Sequence, residues 1–114
     1  METEGVLLKP SDEIRDAAYA VFEEWGPKRR IERAERLKQE FPSLTDLDIV
    51  SILKEMKDVS ATVWKIAELG GESKMGRNEI VKLLQEKHPF LRSKGLTQAV
   101  FLVNYYAWHE GYDR

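Results

Sequence analysis

The chain has no cysteine, which removes disulfides, thiolate nucleophiles and zinc sites built on sulfur and suits a reducing, cytoplasmic setting. It lacks an excess of charge of either sign. Its 18 basic and 20 acidic residues leave a formal net charge of -2, so nothing attracts nucleic acid or an anionic membrane to the molecule as a whole. No apolar run approaches the roughly 20 residues needed to cross a bilayer. The first residues, Met1-Glu2-Thr3-Glu4-Gly5, are acidic where a secretory signal is basic. A cytoplasmic location without a membrane partner is therefore expected. No phosphate-cradling glycine loop, nucleophile elbow or spaced carboxylate pair stands out, and the two histidines, His88 and His109, share no ligand spacing with acids. Neither enzymatic activity nor a metal or cofactor is expected.

What remains is enough to fold. With 114 residues, 42% of them apolar and 33% charged, the chain suits one domain (1–114) with a real core rather than a disordered segment. Residues 1–10 read as a flexible N-terminus. Ser11, followed by Asp12 and Glu13, is a helix start, and Ile14, Ala17, Ala18, Val21, Phe22 and Trp25 recur at helical spacing behind it. Gly26-Pro27 ends that helix, and Pro27 opens a second to about residue 40, with Ile31, Ala34, Leu37 and Phe41 inside. Pro42 turns the chain. Thr45 and Asp48 form a capping box for a third helix over 46–57, with Ile49, Ile52, Leu53 and Met56 inside. Asp58 or Ser60 caps a fourth, carrying Val59, Val63, Ile66 and Ala67. Glycine, serine and charge make 70–76 the internal loop, or hinge, between two helical units. Ile80, Val81, Leu83 and Leu84 mark a fifth helix, and a last one spans 96–110. The fold class is all-α, a compact orthogonal or bundled array of five to six short helices with the apolar last helix as its spine.

Aligning Pro42 with Pro89 superimposes Leu37 on Leu84, Leu44 on Leu91, Ile49 on Leu96, Ile52 on Ala99 and Leu53 on Val100, as in two related helical units. Phe41 facing His88 runs against that relation. Within residues 37–69, the pair Phe41-Pro42, the core positions Leu44, Ile49, Ile52 and Leu53, and Asp58-Val59 after a one-residue deletion resemble the CUE branch of the ubiquitin-associated three-helix fold. The resemblance implies a ubiquitin-like partner held by Phe41 and Pro42. The adjacent leucine pair that completes the family's binding motif is replaced by Ala67-Glu68-Leu69.

Two surfaces compete for a functional reading. Lys28, Arg29, Arg33 and Arg36 place cations on the solvent side of the second helix, where they could grip phosphates. Glu32, Glu35 and Glu40 interleave with them, and Glu32 precedes Arg36 by four residues in the favourable order for a surface pair, so a solvated salt-laced face is preferred. On the last helix Phe101, Tyr105, Trp108 and Tyr112 recur at steps of four, three and four. They either pack beneath the first helix, the favoured reading, or face a partner. Function is expected to be non-catalytic, adaptor-like binding of a protein partner of unknown identity through Phe41, Pro42, Tyr105, Trp108 and Tyr112. Nucleic-acid binding through the basic helix and a structural homodimer through the aromatic stripe are the alternatives.

Overall fold

Ser11 caps α1, Asp12–Phe22, by accepting the Ile14 N–H at 3.2 Å, with Asp12 and Glu13 at the positive end of the dipole. The computed structural model describes residues 10–24 and 26–114, with the side chains of Pro27 and Arg29 excepted. Residues 1–9 of the expected flexible terminus, Trp25 of the first apolar stripe and the Arg29 side chain of the basic row lie outside the described residues. The buried side of α1 carries Ala18, Tyr19 and Phe22, with Asp16 among them. Tyr19, absent from the expected stripe, can be buried because its hydroxyl pairs with Ser60 at 3.1 Å.

The single helix expected over 27–40 is split. A 3-10 turn, Pro27–Arg30, ends at Ile31 in extended backbone, and α2, Arg33–Glu40, begins after Glu32. Restarting the helix there changes which side chains face inward: Ala34, expected inside, is exposed, while Arg36, expected on the solvent side, is buried beside Leu37.

Helices three and four of the expected array are one helix. The capping box is formed as expected, with Thr45 N–H donating to Asp48 Oδ2 at 2.9 Å and Asp48 N–H to Thr45 Oγ1 at 3.1 Å. From it α3, Asp46–Ala67, runs without a break past Asp58 and Ser60. Those two residues have the side chains of caps, but no glycine or proline precedes them, and Met56, Val59, Val63 and Ile66 carry one buried stripe straight through. The separate third helix of a CUE-like unit, expected at Asp58-Val59, is therefore the second half of α3.

The segment 70–76, expected as a loop or hinge, contains the one-turn helix α4, Glu72–Met75. Gly70 and Gly71 are buried. Asn104 pins the segment to the last helix by accepting the Glu72 N–H at 2.9 Å and donating to the Glu72 carboxylate at 2.6 Å. Helices α5, Arg77–Lys87, and α6, Lys94–His109, complete the array. Helices α1, α3 and α5 all pack on α6, and α2 closes over α1 and α3. One hydrophobic cluster takes Tyr19 and Phe22 from α1, Leu37 from α2, Met56 and Val63 from α3, Leu84 from α5 and Leu102 from α6, so the two halves share a core. Among the described residues there is no strand, and no helix is long and apolar enough to cross a membrane.

The corners aligned through their prolines have matching geometry. Phe41 N–H bonds to Leu37 O at 2.8 Å and Leu44 N–H to Phe41 O at 3.0 Å; His88 and Leu91 repeat both bonds at 2.8 and 3.0 Å. Lys38 donates to the Leu44 carbonyl, and Gln85, its counterpart, to the Leu91 carbonyl.

Helix α6 meets α1 at Gly95. A Cβ there would stand 2.1 Å from the Asp16 carbonyl oxygen. Exchanging a helical glycine for alanine ordinarily adds about 1 kcal/mol of stability. Here the clash is with backbone, and Gly95→Ala is expected to lower stability by about 2–3 kcal/mol in urea unfolding, as overpacking does; a gain would mean the two helices are not in contact at this point.

Candidate functional site

Phe101, Tyr105, Trp108 and Tyr112 were expected to pack beneath α1, and Phe101 and Trp108 do not. The core side of the helix is taken by Ala99, Val100, Leu102, Val103 and Ala107, a set small enough for α1 and α3 to approach closely, with Tyr106 packed at its margin and the rings of Phe101 and Trp108 outside. Phe101 is 49% exposed and Trp108 61% exposed. Tyr105, half-buried, lies between them, 6.3 Å from Phe101 and 6.1 Å from Trp108 by ring centroids, and stacks on His109 at 5.5 Å. Tyr112 leaves this row. Gly111, at φ 80°, ends the helix in a Schellman turn, with Tyr112 N–H bonding to Ala107 O at 2.8 Å and Gly111 N–H to Trp108 O at 3.1 Å. The chain is thereby turned back, and Tyr112 meets Trp64 of α3 edge-on at 6.3 Å. Trp64 also packs on Tyr106 at 5.3 Å.

Phe41 and Pro42 stand apart from this set. Phe41 is the half-buried end of α2, packed against the core, and Pro42 is exposed at the corner. Among the described residues no ring contact joins Phe41 to the rings of α6. Of the expected partner-binding residues, the structure unites Tyr105 and Trp108 and adds Phe101.

The basic row is divided: Arg33 stays exposed in a salt bridge with Glu23, as a salt-laced face requires, whereas Arg36 is buried. Arg33 Nε donates to Phe22 O at 3.0 Å, its guanidinium lies 3.9 Å from the centre of the Phe22 ring, and Nη2 reaches Glu23 at 3.0 Å. Arg36 Nη2 donates to the same Phe22 oxygen at 3.1 Å. Both arginines thus serve the C-terminal end of α1, whose own last turn has no basic residue and is followed by Glu23 and Glu24. Cations at that negative end are favoured. Acids where a helix needs bases are the signal in the sequence that arginines must come from elsewhere. Lys28 and Arg30 remain exposed.

No protein family model, no curated protein and no solved structure matches this chain.

A recess of about 670 Å3 lies between α3 and α5 and includes Thr62, Lys65, Leu83, Lys87 and His88. His88 Nε2 is 2.8 Å from Thr62 Oγ1, an arrangement that could suggest a nucleophile and its base. The Thr62 hydroxyl, however, donates to Asp58 O at 3.2 Å. The hydroxyl is thus shared between the Asp58 carbonyl and the imidazole, and the Thr62–His88 contact ties α3 to the end of α5. Among the described residues no group of three or more potential ligands could hold a metal ion.

Burial holds the His88 pKa below its ordinary value; Lys87 and Arg15 act in the same direction, while Glu55 and Asp58 oppose it. The folded chain then binds fewer protons than the unfolded chain as pH falls through the ordinary histidine range, so acid removes stability. Between about pH 7 and about pH 5, urea midpoints of the wild type are expected to fall more steeply than those of His88→Gln; parallel profiles would show that His88 is protonated as readily folded as unfolded.

Proposed function

We propose that this protein is a non-catalytic protein-interaction module that docks a different protein on the outer face of α6, with Trp108 at the centre and Phe101 and Tyr105 beside it. The observation that carries the reading is the exposure of two large aromatic side chains on a helix whose opposite side lies in the core. Aromatic side chains have few rotatable bonds to order on binding, and aromatic anchors of this kind dominate interface energetics. The exposed rings offer at most a few hundred Å2, below the roughly 800 Å2 that each side of a standard stable interface buries. A short segment of a partner fits that area better than an obligate homodimer does. The burial of Arg36 and the pairing of Arg33 with Glu23 weigh against nucleic acid as the partner, since they leave fewer cations for phosphates.

A photo-crosslinker at position 101 in nuclease-treated lysate of the source cell identifies the partner, and the purified pair is then titrated. Trp108→Ala is expected to weaken binding about tenfold or more, which is about 1.4 kcal/mol, with little dependence on salt. Unchanged affinity in that variant would overturn the reading, as would recovery that nuclease abolishes or a chain that light scattering finds at twice its mass. Ubiquitin serves as a defined probe: binding lost in Pro42→Glu but kept in Trp108→Ala would move the docking face to the corner between α2 and α3.

A further inference from the structure

Arg36 is 6% exposed, and its Nε and Nη1 are buried without a hydrogen-bond partner among the described residues. Leaving donors of a charged group buried and unpaired costs more than an ordinary hydrogen bond returns. Its bond from Nη2 to Phe22 O is duplicated by Arg33 Nε on the same oxygen. Capping of α1 therefore does not account for a second arginine. Glu23, a buried carboxylate close by, is engaged by Arg33 at 3.0 Å and by the Ser60 hydroxyl at 3.2 Å.

Arg36 forms part of the wall of an open cleft of about 850 Å3 between the end of α1, the start of α2 and α6, together with Ile31, Tyr105 and Tyr106. That volume is within the usual range for small-molecule sites, which pair apolar and aromatic walls with a few polar groups. A guanidinium with idle donors calls for an acceptor with negative charge. Glu23, Glu24 and Glu32 also border the cleft, as do Arg30 and Arg33; carboxylates and guanidiniums there balance, and a cleft without net positive charge disfavours a doubly charged phosphate more than a singly charged group.

We propose that this cleft binds a small monocarboxylate with an aromatic or apolar body, the carboxylate received by Arg36 and the body lying against Ile31, Tyr105 and Tyr106. On binding, the guanidinium turns toward the cleft and releases Phe22 O, which Arg33 continues to cap. The ligand then satisfies donors that the empty protein leaves unpaired. The site shares Tyr105 with the docking face on α6, but Arg36, on which it depends, is not part of that face.

The test follows the Arg36 Nε–Hε signal of the full chain by proton–nitrogen NMR during titration with 3-phenylpropionate, with 3-phenylpropionamide and inorganic phosphate as comparisons. A saturable shift is expected with the acid, with the amide and phosphate each at least about tenfold weaker, a difference of about 1.4 kcal/mol. Arg36→Met is expected to abolish saturable binding while its melting temperature stays equal to or above that of the wild type, since it removes unpaired donors and leaves Phe22 O capped. Arg36→Lys, which keeps the charge, is expected to fold and to bind at least about tenfold more weakly than the wild type. No saturable shift of the Arg36 signal, equal binding of acid and amide, tighter binding of phosphate, undiminished binding by either variant, or a marked fall in the melting temperature of Arg36→Met would each overturn the proposal.

Discussion

Everything in this fold that surrounds α6 depends on how the backbone of α1 meets its first turn. Asp16, 5% exposed, accepts the N–H groups of Arg92 at 2.7 Å and Ser93 at 3.1 Å with one carboxylate oxygen. Ser93 makes no side-chain cap of its own, so a residue distant in sequence supplies the anionic cap that the positive end of a long helix favours. Clearance for the crossing comes at Gly95, where the Asp16 carbonyl occupies the place of a side chain. The carboxylate and the missing Cβ act together: one holds α6 at the correct height along α1, and the other lets the helices touch. Since α3 and α5 also lie on α6, a shift at this contact would displace the whole core.

The opposite end of α1 is organised by charge. Two acids follow a helix terminus that needs cations, and α2 delivers Arg33 and Arg36 to the last carbonyl. Arg33 engages the Phe22 carbonyl, the Phe22 ring and Glu23 there. Arg36 repeats only the first of these contacts. The short 3-10 turn between the helices makes this delivery possible, because an unbroken helix over 27–40 would carry Arg36 outward on the phase set by Ile31 and Ala34.

Between these ends, α6 has two different faces. Small and medium apolar residues on its inner side allow α1, α3 and α5 to converge, and that crowding leaves no room for large rings. Phe101 and Trp108 are consequently outside. The glycine turn after His109 then separates Tyr112 from them and sends it to Trp64, so the helical spacing that joins four aromatics in the sequence holds for three in space.

The amino-acid sequence by itself determined the all-helical class, the starts at Ser11 and Thr45, the turns at Pro42 and Pro89 and most of the apolar positions that became core. These depend on neighbours within about one helical turn, where capping, proline geometry and side-chain periodicity act. Only the tertiary structure decided that α3 runs unbroken through Asp58 and Ser60, because a continuous stripe of burial outweighs local capping preference. Only it could bury Tyr19, whose hydroxyl finds Ser60 across helices, turn Arg36 from the surface to the end of α1, and set Phe101 and Trp108 outside. In each case the deciding partner lies on another helix, and one-dimensional spacing does not contain it.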